Sequence, residues 1–112
     1  MVGHTGIFEA AMKAAEVVDT CLDKLLKVAL ENKYEIIIIA DHGNSDIMIN
    51  EDGSPNTAHT TNLVPCIYVS QTNKDVKLKN GKLADIAPTI LSILDIEQPP
   101  SMDGENLLYK SV

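Results

Sequence analysis

Apolar residues recur at helical spacing along the opening stretch of the chain. Phe8, Ala11, Met12, Ala15, Val18, Leu22, Leu25, Leu26 and Ala29 fall on one face, while Glu9, Lys13, Glu16, Lys24 and Lys27 fall largely on the other. This pattern predicts an amphipathic helix over residues 7–31 whose stripe packs into a core. Thr5 is placed to cap its start and Asn32 to close it. The period then changes. Glu35-Ile36-Ile37-Ile38-Ile39-Ala40 is an unbroken β-branched run, which predicts a strand buried on both faces in the middle of a covered, parallel sheet. It stops abruptly in the polar run Asp41-His42-Gly43-Asn44-Ser45-Asp46. Residues 47–49 read as a short strand, and 51–61 as a polar loop with turn signals at Asp52-Gly53-Ser54-Pro55-Asn56. A second buried strand is expected over 64–69, with Pro65 acceptable near its start. Residues 71–82 form a lysine-rich loop or exposed hairpin. A second helix follows over 86–94, capped by Asp85, with Pro88 tolerated in its first turn. Pro99-Pro100 forbids further helix, and the tail is expected to be loop with a short packed piece at Leu107-Leu108.

Helix, strand, loop, strand, loop, helix is an α/β order with a partly parallel sheet. Such sheets bind ligands at the carboxyl ends of their strands, and Asp41-His42 occupies one such end. Two clear strands are few for a doubly wound domain, so more of the sheet is expected upstream.

Composition narrows the function. A chain of 112 residues suits a single domain, and 45% hydrophobic residues suffice for a core. Nine lysines, no arginine and 16 acidic residues give a net charge of −7, which argues against nucleic acid or an anionic membrane surface as partner. No stretch approaches the roughly 20 apolar residues that span a bilayer. The opening Met1-Val2-Gly3-His4-Thr5-Gly6 lacks the basic and apolar regions of a signal peptide, which points to the cytoplasm. Cys21 and Cys66 sit inside apolar stretches and are expected to be reduced and packed as small hydrophobes. The missing arginines matter too. Sites that grip a phosphorylated substrate usually present guanidinium forks, so any such clamp must come from elsewhere.

The chain's only histidines are His4, His42 and His59, each in a polar or glycine-containing loop, and Asp41 adjoins the second. Carboxylate plus imidazole is the ligand set of Mn²⁺, Zn²⁺ or Fe²⁺. Asp41 and His42 can share one ion at the strand-to-loop turn, where Gly43 allows a sharp reversal. His59-Thr60-Thr61-Asn62 leads straight into the second strand, so His59 can return to the same sheet edge. Each residue has a plainer role open to it: a lone histidine as a surface group, Asp41 as a turn cap, Asn62 or Ser45 as local caps. The co-occurrence of three imidazoles and an acid at the ends of buried elements favours a divalent-metal site. The stretch from Lys74 to Lys82 reads as solvated surface.

Three motifs carry a resemblance. Val2-Gly3-His4-Thr5-Gly6, Ala40-Asp41-His42-Gly43-Asn44 and Ala58-His59-Thr60-Thr61-Asn62-Leu63-Val64-Pro65 resemble the C-terminal part of the cofactor-independent phosphoglycerate mutases, in the alkaline phosphatase superfamily. Leu83-Ala84-Asp85-Ile86-Ala87-Pro88-Thr89-Ile90-Leu91 and Glu97-Gln98-Pro99 extend it towards the end of the chain. The resemblance implies part of an alkaline-phosphatase-like three-layer sandwich, with a mostly parallel sheet flanked by helices. It also implies that residues 1–112 are a single C-terminal segment of the metal-binding domain, starting one residue inside a motif in which Met1 is the expected residue. It further implies an activity interconverting 3-phosphoglycerate and 2-phosphoglycerate in glycolysis through a phosphoserine, in an intact enzyme that is monomeric. Two Mn²⁺ ions would serve, with Mg²⁺, Co²⁺ or Zn²⁺ as substitutes. His4 and His59 would hold one ion and Asp41 and His42 the other, with the serine, the remaining acids and the arginine clamp upstream. The isolated chain is then expected to be inactive, and an uncovered helix stripe could drive it to self-associate. Phosphopentomutases share a DHG segment and a later histidine, but Gly3-His4-Thr5-Gly6 and the HTTNLVP run favour the glycerate enzymes. A non-catalytic structural module is the reading from a different class.

Overall fold

A computed structural model describes residues 2–111; Met1, which belongs to the first motif, and Val112 lie outside them. The first helix is present as α1, Phe8–Glu31, preceded by a 3₁₀ turn at Val2–His4. Thr5 does not cap it. The N-cap is Ile7, and the Thr5 hydroxyl donates to the Val2 carbonyl at 2.7 Å and accepts from the Ile7 N–H at 3.3 Å, closing its own turn. Asn32 does close the helix, its backbone N–H and side-chain Nδ2 both donating to the Val28 carbonyl at 3.1 and 2.8 Å. The Lys33 N–H then reaches the Leu30 carbonyl and the Tyr34 N–H the Ala29 carbonyl, a Schellman motif with Lys33 at φ 60°.

Strand β1, Ile36–Ile39, pairs with β2, Cys66–Val69, and the pairing is antiparallel, with Ile36 opposite Val69 and Ile39 opposite Cys66. The expected parallel, covered sheet is not formed. Parallel pairing needs a crossover, usually helical, and residues 40–65 supply only turns and isolated bridges, so the chain turns back on its own strand. Each β1 isoleucine is half-buried or exposed, not enclosed on both faces. The short strand expected at 47–49 reduces to a single bridge between Ile49 and Pro55, around a turn at Asp52-Gly53 in which the Ser54 N–H donates to the Asp52 carboxylate at 2.9 Å.

A second antiparallel pair joins β3, Val76–Leu78, to β4, Leu108–Lys110. The lysine-rich stretch is therefore one strand paired with the tail, not a loop or a self-paired hairpin. Its lysines stay exposed while Val76 and Leu78 turn partly inward. A 3₁₀ turn, Leu83–Asp85, leads into α2, Ile86–Ile93. The Asp85 side chain does not cap α2. Its Oδ2 accepts the Lys82 N–H and its Oδ1 the Glu105 N–H, each at 2.9 Å, which ties the start of α2 to the segment before β4. The Thr89 hydroxyl donates to the Asp85 carbonyl at 2.6 Å and accepts the Leu107 N–H at 3.0 Å. Asp85, Pro88, Thr89, Gly104 and Leu107 are buried together and make the tightest core among the described residues. Gly104 lies so close to the Ala84 carbonyl that a Cβ there would collide with it.

The α1 stripe behaves otherwise. No residue of α1 is buried, and Phe8 and Leu25 are 63% and 65% exposed, so the expected core packing of this face is corrected. Cys21 and Cys66, expected to be packed, are free and exposed as well. The surface totals 8573 Å², against about 6,100 Å² for a compact monomer of 12.2 kDa. No described helix is long and apolar enough to cross a membrane.

Candidate metal centre

The antiparallel register builds the site. Ile39 faces Cys66, so the carboxyl end of β1 and the segment entering β2 leave the sheet at one edge. Beyond the sheet the two segments meet again in a bridge between Gly43 and Thr60, with the Thr60 N–H donating to the Gly43 carbonyl at 2.8 Å. Asp41 and His42 project from one segment there and His59 from the other. Gly43 is required at this crossing, because a Cβ would run into the Thr60 hydroxyl and the Asp46 carboxylate. The N-terminal turn comes to the same place. Gly3 packs on the Asn44 side chain and Gly6, at φ 65°, on Pro55, which brings the His4 ring to the loop that carries His59.

All three imidazoles therefore converge. The His42 and His59 rings stack with centroids 3.6 Å apart and planes at 14°, and the His4 and His59 centroids are 5.3 Å apart. His4 Nδ1 lies 3.1 Å from the Thr57 carbonyl and His42 Nδ1 3.0 Å from the Gly43 carbonyl. A carbonyl can only accept, so each Nδ1 carries a proton, and in the neutral ring Nε2 keeps its lone pair. Metal-binding histidines are commonly oriented in this way by a carbonyl. His42 Nε2 is 3.5 Å from Asp41 Oδ2, a pair that an imidazolium proton or a shared cation would satisfy. Asp41 is widely open to solvent, its side chain 81% exposed. Among the described residues no three His, Cys, Asp or Glu side chains stand in a metal-holding arrangement. Stacking accounts for the His42–His59 part of this: the lone pairs of near-parallel rings lie in their own planes and do not meet at a point. The donor chemistry fits a divalent ion, while the side chains stand stacked on one another.

A cleft of about 460 Å³ opens beside the site, lined by Asp41, His42, Thr60 and Asn62 on one side and by Lys82 and Leu107 of the C-terminal block on the other. Sequence reasoning missed the group that joins the two loops. Asp46 accepts the Thr60 hydroxyl on both carboxylate oxygens, at 2.9 and 2.8 Å, and also accepts from the Asn62 side-chain amide. The Asn62 amide, and after it the Thr60 hydroxyl, hold the Asp46 carboxyl below its ordinary pKa. Asn62 is thus a cross-loop partner, not a local cap. Asp46 closes the same polar run as Asp41, and Thr60 and Asn62 flank His59, so all three were visible. Their pairing over separations of 14 and 16 residues leaves no periodic trace.

Comparison with known proteins bears on this geometry. Residues 1–98 match the family model described as the metalloenzyme superfamily. The chain belongs to the metalloenzyme superfamily. All four candidate ligands of this metalloenzyme chain lie within the matched residues. Several curated relatives carry the name 2,3-bisphosphoglycerate-independent phosphoglycerate mutase. That of Bacteroides fragilis is 57% identical over 108 residues, covering 96% of this chain and 21% of the relative. That of Acetivibrio thermocellus is 54% identical over 111 residues, covering 98% and 21%, and that of Francisella philomiragia 52% over 108 residues, covering 96% and 21%. The chain spans about a fifth of the length of these relatives.

Proposed function

We propose that this chain is the C-terminal, metal-binding segment of a cytoplasmic phosphoglycerate mutase that interconverts 3-phosphoglycerate and 2-phosphoglycerate through a phosphoserine. The observation that carries the reading is the convergence of His4, His42 and His59, from three separate segments, beside Asp41. Identity of 57% with a protein of that name, over nearly the whole chain, supports the choice among metalloenzymes. In this reading His4 and His59 hold one ion and Asp41 and His42 the other, completed by acids elsewhere in the longer enzyme. Mn²⁺ is the ion proposed, as the family resemblance implies, and the mixed carboxylate and imidazole donors are compatible with it. A divalent ion so held lowers the pKa of a coordinated hydroxyl and draws charge from phosphoryl oxygens. The chain's own residues orient the donors: the Thr57 and Gly43 carbonyls keep protons on His4 and His42 Nδ1, leaving Nε2 to face the ion. To take up ions the His42 and His59 rings would turn out of their stack about their own side-chain bonds, while the two loops that carry them keep their places.

With no arginine in the chain, a glycerate phosphate finds no guanidinium fork here, and the substrate clamp and serine nucleophile belong to the remainder of the enzyme. The purified chain should therefore show no turnover of 3-phosphoglycerate. Turnover that disappears in Asp41→Ala would overturn that assignment. The metal reading is tested by titrating Mn²⁺ into the chain and following the free ion by EPR. Saturable binding at low micromolar concentration, lost in His59→Ala, is the expected result. Binding that is unchanged in His59→Ala and in Asp41→Ala would remove these residues from the centre.

A further inference from the structure

The two loops that carry the candidate ligands are not held by the sheet. Between the last sheet pair, Ile39 opposite Cys66, and the bridge at Gly43 and Thr60, one segment contributes three residues and the other five, so the ladder is broken where Asp41 and His42 project, with His59 just beyond the bridge. Besides the Gly43–Thr60 bridge and the bond from the Asn44 amide to the Ala58 carbonyl, one carboxylate ties the loops together through side chains. Asp46 takes the Thr60 hydroxyl on both oxygens and the Asn62 amide on Oδ2. Thr60 adjoins His59, and its N–H is bound to the carbonyl of Gly43, which adjoins His42. A shift of the His59 backbone relative to that of His42 therefore strains the bonds to Asp46.

Charge strengthens the arrangement. Hydrogen bonds to an ionised carboxylate are shorter and about twice as strong as neutral ones, and here two donors, the Thr60 hydroxyl and the Asn62 amide, share one carboxylate. No lysine competes for it: the ion pairs of the described chain lie elsewhere, Lys27 with Asp23 and Lys79 with Glu105. The contact of Gly43 with both Thr60 and Asp46 leaves no room for the loops to slide. We propose that Asp46 is a positioning residue, a clamp that fixes the DHG loop to the HTTN loop and so holds His42 in register with His59. It acts on the ligands through Thr60 and Asn62 and is not itself a ligand. The consequence for metal affinity rests on the function proposed above; the clamp itself does not.

The test separates the two. In the metal-free chain, NMR should show cross-relaxation between the His42 and His59 ring protons, together with the ring-current shifts of stacked imidazoles. Asp46→Ala and Thr60→Val, which remove the clamp from opposite sides, should both abolish that contact. Leu107 methyl shifts and helical circular dichroism should stay unchanged, reporting an intact remainder. The exchanged pair Asp46→Asn with Asn62→Asp should restore the contact, a rescue that loss of general stability would not give. Mn²⁺ affinity should fall about tenfold or more in Asp46→Ala, the usual effect of losing a group that orients ligands, and recover in the exchanged pair. Rings that remain stacked in both Asp46→Ala and Thr60→Val would overturn the clamp, whatever the metal does. Rings that separate in both variants, while the wild-type chain keeps them stacked but binds no Mn²⁺, would support the clamp and defeat the metal reading alone.

Discussion

Lys33 and Asp95 occupy the same structural place, the left-handed residue that ends a helix. Lys33 follows α1 at φ 60° and Asp95 follows α2 at φ 56°, and each is enclosed by the paired bonds of a Schellman motif, Ile96 to Leu91 and Asp95 to Ser92 in the second case. Glycine is the usual occupant, because a Cβ in this region meets the following carbonyl at a cost of about 1–2 kcal/mol. Glycine also gives back part of that gain through the freedom of the unfolded chain. Lys33→Gly should therefore stabilise the protein by about 0.5–1 kcal/mol, read from the midpoint of urea unfolding with an unchanged slope. A destabilised variant would mean that the Lys33 side chain makes contacts worth more than the backbone strain. The same substitution at Asp95 should act on α2 alone. Thr5 shows the opposite lesson: its type fits a cap, but Gly6 and the bond to Val2 turn it away from the helix, so Ile7 is left as N-cap with no side-chain bond.

Among elements, the extent of α1 and the end of β1 were legible because period and composition are local properties. The helix was expected over 7–31 and runs Phe8–Glu31, and the polar run after Ile39 does leave the sheet with Asp41 and His42. Strand direction was not legible, since a continuous apolar run says that a strand is apolar, not what pairs with it. β3 and β4 were missed because each has three residues and finds its partner about thirty positions away, too short and too distant for any pattern. The best-packed element set, around α2, gives two predictions. Leu107→Ala removes the one buried hydrophobic side chain among the described residues and should cost about 2–4 kcal/mol, visible as loss of exchange protection in α2 and β4. Asp85 makes the same block acid-sensitive. The Glu105 N–H first, and the Lys82 N–H after it, hold its carboxyl below its ordinary value of 3.8. The folded state thus binds that proton more weakly than the unfolded chain, so the stabilisation is complete above the ordinary value and is lost as pH falls through the depressed one. Asp85→Asn should melt several degrees below the parent chain at pH 7, with the gap closing towards pH 2 (thermal unfolding by circular dichroism). A gap that persists in acid would mean that the loss is one of packing, not charge.

For the whole molecule, the surplus of surface decides what to expect in solution. The chain exposes about 2,500 Å² more than a compact monomer of its mass, and its radius of gyration, 17.1 Å, exceeds the roughly 13 Å expected for its length. Much of the surplus lies on α1, where Phe8, Met12, Val18 and Leu25 are each at least half exposed along one face. From Phe8 to Leu25 is roughly 25 Å of helix, long enough for two copies to pack side by side over several turns. If each copy covered half of its surplus, the pair would bury about 2,500 Å², within the range of stable homodimers. Glu9, Lys13, Glu16, Lys24 and Lys27 sit largely away from the stripe, while Asp19 falls within it and would have to lie at the rim of the pair. The isolated chain should therefore sediment as a dimer at tens of micromolar, and Val18→Glu with Leu25→Glu should return it to monomer without loss of helix. A wild-type chain that remains monomeric at that concentration would show that the stripe is too weakly apolar to associate unaided. The same substitutions discriminate at a larger scale. In the longer enzyme proposed above, other parts of the chain would cover this face, so the double variant should impair its folding, whereas in the isolated segment it should improve solubility.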